Sequence, residues 1–243
     1  MENSRHLHAR WLGRQRYEPV LALQRQLFQE RQAGRVEDTV LFVEHESVIT
    51  MGRGTKPQHL LASRELLANL GVDLADIDRG GDVTLHAPGQ LVCYPIVDLR
   101  PDRCDVRRYV NALSEAMRRT INDYQLDAGN IDGMVGLWVD TESKSTWPGQ
   151  ANAKSIAKIG AIGVRISRWV TMHGYALNLS TNLSQFQLIV PCGIAAHPVT
   201  SVEALTGEAI RVETAVPRAF THLCAALEFN AGTFRDESNR HLE

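Results

Sequence analysis

The chain has 243 residues, long for one domain but within the range of α/β and all-β domains, and its 44% apolar and 22% charged residues are ordinary for a globular protein. Twenty-six basic against 28 acidic residues leave a net charge of -2, which argues against a nucleic-acid surface. No run approaches the roughly 20 apolar residues that cross a bilayer, and the polar opening, Met1–Gly13, lacks the apolar stretch of a secretory signal, so a cytoplasmic protein is expected.

Tyr17 to Gln32 is predicted as a helix, with Pro19 in its first turn and Val20, Leu23, Leu27 and Phe28 on one face. Thr39–Val43 and Ser47–Met51 look like strands. Ser63 caps a short helix through Leu70, stopped at Gly71. Two or three strands follow between Val72 and Val97, divided by Gly80-Gly81 and by Ala87-Pro88-Gly89. Asp105 opens the clearest helix, in which Val106, Tyr109, Val110, Leu113, Met117, Ile121 and Tyr124 recur at helical spacing. Val135–Val139 is strand-like, and Thr141–Ala153, polar and containing Pro148-Gly149, is a loop. Ile159–Ile166 and Trp169–Leu179 are predicted strands. A last helix runs from about Thr214 to Phe229, where Pro217 is tolerable only in the first turn. Without repeats or linkers, this order predicts one α+β domain, residues 1–243, built on a mostly antiparallel or mixed sheet flanked by helices.

The four cysteines, Cys93, Cys104, Cys192 and Cys224, form no CxxC pair and fit no zinc spacing, so free thiols are expected. Cys93 and Cys224 sit in apolar element interiors. Cys192 instead lies between Pro191 and Gly193, in a turn that would expose both the sulfur and neighbouring N–H groups able to hold an oxyanion. Lys158 opens a strand of small residues, Gly160, Ala161 and Gly163, where a ligand could lie against backbone. Lys144 and Lys154 read as surface charges of the preceding loop. Arg79-Gly80-Gly81-Asp82 with His86 is either a hairpin turn or a loop that a ligand approaches closely.

Five blocks in this order carry a resemblance: Arg79 to Gln90 with Tyr94-Pro95-Ile96; Lys158 to Gly163; Trp169-Val170-Thr171; His173 to Asn178; and Pro191-Cys192-Gly193-Ile194. Together with Glu44-His45, Thr50 to Arg53 and Gly136 to Val139, they resemble the lipoyl(octanoyl) transferases over most of residues 39 to 205. The resemblance implies a fold related to biotin and lipoate protein ligase catalytic domains. It implies transfer of octanoyl from acyl carrier protein to a lysine of a lipoyl domain of 2-oxoacid dehydrogenases or of the glycine cleavage H protein, with no cofactor, metal, nucleic acid or membrane. Cys192 matches the acyl-thioester nucleophile and Lys158 the lysine that lowers its pKa. Arg79, Gly80, Gly81, Asp82, Val83, Thr84, Leu85 and His86, with Ala161, Ile162, Gly163, Gly174, Tyr175 and Ala176, match the segments lining the acyl site. The chain departs from the family at Ala87, where glycine is usual, and in a longer loop before Lys158 that leaves Lys154 as a competing match.

A neighbouring ammonium would make such a thiol reactive at neutral pH, and ping-pong transfer through an acyl-enzyme would follow. Three alternatives stay open at this point: an ATP-dependent lipoate or biotin ligase, a non-catalytic acyl-binding module, and a thioesterase.

Overall fold

A computed structural model describes residues 5–190 and 197–242. Eleven strands and five helices follow in chain order: β1 (His6–Gln15), α1 (Tyr17–Gln32), β2 (Thr39–His45), β3 (Val48–Met51), α2 (Arg64–Asn69), β4 (Asp73–Asp76), β5 (Val83–His86), β6 (Gln90–Ile96), α3 (Val106–Asn122), β7 (Gly129–Ile131), β8 (Met134–Asp140), β9 (Ile156–Ser167), β10 (Val170–Asn178), α4 (Val202–Thr206), α5 (Val212–Leu227) and β11 (Asn230–Asp236). Eight strands form a mixed sheet in the order β11-β1-β2-β6-β10-β9-β8-β7, parallel at the β11–β1 and β1–β2 pairs and antiparallel beyond. A second sheet has the order β4-β3-β5.

Strand periodicity explains the layering. Val40 and Phe42 of β2 pack with α3 and α5, while Leu41 and Val43 pack with α1 on the opposite face. Leu91 and Cys93 of β6 likewise face α3 and α5, and Val92, Tyr94 and Ile96 face α1. Covered on both sides, β6 is buried throughout, and after the buried Gln90 it reads as an apolar run. The small sheet has its own core, in which Ile49, Val83 and Leu85 meet Leu67 and Phe186.

Three described strands are additions to the predicted elements: β1, β11 and the short β7. β1 occupies the polar opening, where Leu7, Ala9 and Trp11 are buried beneath alternating His6, His8 and Arg10: a period-2 pattern hidden by a polar average. β11 pairs with it in parallel, although most of its side chains are exposed. Pro217 lies five residues inside α5, beyond the first turn, because the helix begins at Val212. The Arg168-Trp169 connection of β9 and β10 has positive φ at both residues (50° and 64°), the backbone of a tight hairpin built without glycine.

Candidate active site

The glycine pair of Arg79 to Asp82 is not a hairpin turn. β4 and β5 pair on opposite sides of β3 rather than with each other, so the connection crosses past β3 within the small sheet and runs alongside the large one. It is tied to both: Gly80 N–H donates to Val164 O at 2.9 Å, and Gly54 N–H donates to Gly81 O at 3.0 Å. The Arg79 guanidinium, almost wholly buried, turns back to donate to Thr50 O (3.2 Å) and Thr50 Oγ1 (3.0 Å). Asp82 is met by His59 Nδ1 at 2.5 Å, so its carboxylate is directed into the fold at this end of the loop.

A cleft of about 460 Å³, open to solvent, lies between this loop and the floor formed by β9 and β10. Gly163 faces Gly174 and Ala161 faces Ala176 across that strand pair. Gly163 makes room for a protein group: a Cβ there would lie 2.9 Å from Arg79 Cδ. Gly160 does the same on the other face, for Met117 Sδ at 2.7 Å. Ala161 and Ala176 therefore form the small-residue floor, and both also line a smaller adjoining cleft that contains Lys158.

The predicted lining residues divide by pleat. Arg79, Gly81, Asp82, Thr84, His86, Ala161, Ile162, Gly163, Gly174, Tyr175 and Ala176 border the larger cleft. Val83 and Leu85 point into the small-sheet core instead, as alternation along β5 requires. Tyr175 belongs to the core beneath α3 and α5. Tyr17, Tyr94 and His173 complete the larger cleft, and Gln90, Asn178, Phe186 and Val199 the smaller one. Tyr17 and Phe186 carry no local motif, and only the tertiary fold brings them here.

Three histidines lie in or directly behind this wall, and burial keeps them neutral. It pushes His45 down to about 4, His86 to about 3 and His173 to about 4. Their partners define tautomers. Gln15 O can only accept, so His45 Nδ1 donates to it (3.2 Å) and Nε2 accepts from the Tyr94 hydroxyl (2.9 Å). Gln90 Nε2 donates to Asn178 Oδ1 at 2.9 Å and to Leu85 O at 3.2 Å, which leaves Gln90 Oε1 to accept from His86 Nδ1 at 2.7 Å. Asn178 Nδ2 in turn donates to Thr200 O at 3.0 Å. The chain from Thr200 to His86 fixes imidazole orientation and leaves His86 Nε2 as an unprotonated acceptor. His173, at φ 60°, directs Nε2 to Asp78 Oδ1 at 3.3 Å, and Arg165 holds the other oxygen at 2.6 Å.

Lys158 is 6% exposed and its Nζ stands 5.3 Å from the centroid of the Trp138 ring on β8. Lys154, its competitor in sequence, is exposed. The register of Lys158 is set from below by Asp140, whose carboxylate accepts from the N–H groups of Lys154, Ser155 and Glu142, each at 3.1 Å. These bonds hold the Asp140 carboxyl below its ordinary range and close the base of the 141–155 loop. Gly136 supplies the space for the lysine: at φ 136°, a Cβ would lie 2.6 Å from both Gly160 O and Lys158 Cε.

Cys192 lies outside the described residues, but the described chain on both sides of it is held by backbone hydrogen bonds. Before it, Leu61 and Ala62 N–H donate to Leu188 O at 2.9 and 3.2 Å, and Val190 N–H donates to His59 O at 2.8 Å. After it, Lys158 N–H donates to Pro198 O and Thr200 N–H donates to Lys158 O, both at 2.9 Å, while His197 packs edge-on against Trp138 at 5.6 Å. Cys93, Cys104 and Cys224 are free. Burial pushes the Cys93 thiol well up and Cys224 to about 11, so neither is a thiolate near neutrality.

Comparison with known proteins agrees with this arrangement. A family model described as the lipoyl protein ligase A/B catalytic domain matches residues 16–224. An octanoyltransferase of Koribacter versatilis is 44% identical over 85% of this chain and 78% of its own length. Among solved structures, a bipartite lipoate protein ligase and its E2 lipoyl domain from Thermoplasma acidophilum gives TM-score 0.66 at 13% identity, covering 97% of this chain and 89% of the other. Biotin protein ligase from Aquifex aeolicus in complex with biotin and ATP gives TM-score 0.52 at 11% identity, over 91% and 70% of the two chains. At these identities the structures establish the fold, the α+β architecture expected from the sequence.

Proposed function

Because the chain belongs to the lipoyl protein ligase A/B catalytic-domain family, we propose that it moves an octanoyl group through a thioester on Cys192, with Lys158 holding that thiol as thiolate. It is an acyltransferase that transfers octanoyl in protein lipoylation. The donor of this reading is octanoyl-acyl carrier protein, and the acceptor is a lysine of a lipoyl domain of a 2-oxoacid dehydrogenase or of the glycine cleavage H protein.

One observation carries the reading. The backbone of Lys158 exchanges hydrogen bonds with Pro198 and Thr200, six and eight residues beyond Cys192, while Val190, two residues before it, is bonded to His59. The described chain on either side of residues 191–196 is thereby anchored, its C-terminal side directly on the strand of a buried lysine that borders the Ala161–Ala176 cleft, which supports a role for Cys192 there.

In the first step the Cys192 thiolate attacks the thioester carbonyl; a carbon–sulfur bond to Cys192 forms, and the donor's bond breaks as its sulfur leaves. The proton surrendered by Cys192, held by Lys158, passes to the departing thiolate. In the second step the neutral amine of the acceptor lysine attacks the acyl-enzyme. An amide forms, the carbon–sulfur bond to Cys192 breaks, and the amine's proton returns to the Cys192–Lys158 pair. Thioester exchange is nearly isoenergetic and amide formation is downhill, so no ATP enters the balance. His86 Nε2, neutral and unprotonated, is available to accept a hydrogen bond from the incoming amine.

The test is intact-protein mass spectrometry after mixing with octanoyl-loaded carrier protein and no ATP. A hydroxylamine-labile adduct of one octanoyl unit, mapped to Cys192 and discharged by a lipoyl domain, is expected. Amide formation that appears only with ATP and free octanoate would replace this reading by the ligase. Release of free acid without an acceptor would replace it by a thioesterase.

A further inference from the structure

A second concavity lies outside the clefts just described, between the first two turns of α3 and the β7–β8 hairpin. It encloses about 1490 Å³ including its open mouth, some three times the acyl cleft. Its walls mix apolar and amide groups: Val106, Val110 and Asn111 from α3, and Asn130 and Val135 from the hairpin. Val106 and Val135 are half-exposed, at 49% and 58%, and no described element covers them. The groove leads to the reaction centre by two residues. Ile162 lines both the groove and the acyl cleft, and Gly136, at the inner end, abuts the Lys158 side chain.

Its lining carries one cation, Arg107, and one anion, Asp132, and neither is ion-paired among the described residues. The neighbouring arginines differ: Arg108 is engaged by Glu228 at 2.7 Å, and Arg103 lies over the Phe229 ring. From Val106 to Ser114 the groove follows about 12 Å of helix. That is too long for a lysine side chain presented on a hairpin. It suits an extended chain with amides along its length, an apolar branched segment and a phosphate at the outer end.

We infer that this groove seats the phosphopantetheine arm of the donor, with its phosphate at Arg107 and its thioester delivered over Ile162, the residue shared by groove and acyl cleft. The inference rests on the reading that the donor is a carrier-bound thioester, and it deepens that reading by separating a donor channel from the acyl cleft. The arm's two amides meet Asn111 and Asn130, and its gem-dimethyl segment meets Val106, Val110 and Val135.

The test compares three octanoyl thioesters in single-turnover charging of the full chain: those of carrier protein, of 4′-phosphopantetheine alone, and of N-acetylcysteamine, which lacks the phosphate and the branched segment. For Arg107→Glu, the second-order charging rate constant for each phosphate-bearing donor, divided by that for N-acetylcysteamine, is expected to fall about tenfold, or about 1.4 kcal/mol. Val135→Asp, at an exposed position, should lower the same ratio. An unchanged ratio overturns the inference. So does a loss confined to the carrier protein, which would assign Arg107 to the carrier's protein surface, or a loss confined to discharge onto the lipoyl domain, which would assign the groove to the acceptor. Failure of the unaltered protein to charge from any thioester would instead remove the transferase reading itself.

Discussion

Replacing Gly136 by alanine tests whether the position of Lys158 is set by the strand opposite it. The new Cβ would stand 2.6 Å from Gly160 O and 2.6 Å from Lys158 Cε. Ordinary carbon–oxygen and carbon–carbon contacts need roughly 3.3–4.0 Å, so about 1 Å must be found at each. Lys158 Cε is the flexible partner; Gly160 O belongs to β9 backbone and can give little. A φ of 136° adds strain of about 1–3 kcal/mol for a residue with a Cβ. Together these predict a stability loss of about 2–3 kcal/mol, read as a Tm lower by roughly 5–10 °C for a chain of this length. The ammonium moves with Cε, and a misplacement of about 1 Å in a reacting group costs on the order of 100-fold in rate. Thermal unfolding and single-turnover charging from octanoyl-carrier, run below the Tm of the variant, separate the two effects. A lowered Tm with an unchanged charging rate would refute the claim that Gly136 positions the lysine, and an unchanged Tm would refute the packing argument.

Gln90→Leu removes three partners at once, leaving His86 Nδ1, Asn178 Oδ1 and Leu85 O without it. Urea unfolding should show a loss of about 2–4 kcal/mol; less than about 1 kcal/mol would mean that the network is replaceable. Acid should destabilise the protein through its histidines. Unfolded imidazoles titrate near 6.5 while the folded ones wait until about 3–4, so the unfolded state binds protons first. Stability present above that unfolded value is lost as pH falls toward 4, by up to about 1.4 kcal/mol per pH unit for each histidine. A flat urea-unfolding profile between about pH 7 and 5 would contradict the assignment. Lys158→Ala should raise the pKa of Cys192, seen as a displaced pH profile for iodoacetamide alkylation; an undisplaced profile would deny the lysine its role. Asp38→Ala removes the carboxylate that joins Arg5 (2.6 Å), Arg31 (2.7 Å) and the Asp98 N–H. About 3–5 kcal/mol should be lost in denaturant unfolding, and a small change would show that β1 is held by its ladder alone.

Much of this molecule was readable where local rules and tertiary demands agree. The helices with a single apolar stripe, α1 and α3, lie within two residues of their predicted limits because a start signal, Pro19 in the first turn of α1 and the Asp105 cap of α3, agrees with the periodicity. Lys158 was separable from Lys154 only through the small residues that follow it; in the fold Lys158 is buried and Lys154 exposed. The glycine-rich loop was ambiguous in sequence because a hairpin and a crossover past an intervening strand use the same residues; strand order decides between them. Glycines 160 and 163 suggested space for a ligand, and the space is taken by Met117 and Arg79, partners 43 and 84 residues away in the chain. β1 escaped because its alternation is diluted by histidines and arginines. Tyr17, Phe186 and the groove beside Arg107 were beyond reach for another reason: each depends on which elements become neighbours.

The clasp at Asp140 has a practical outcome. Three N–H groups from both stems of the 141–155 loop converge on one buried carboxylate. Farther along the loop, Gln150 Oε1 accepts from Asp132 N–H at 2.8 Å and Trp147 N–H donates to Asp127 at 3.2 Å. The segment is thereby a strut between β9 and the β7–β8 turn. A small fluorophore on Ala151, which is exposed, would report on partner docking at that turn in real time while the clasp keeps the lysine in register.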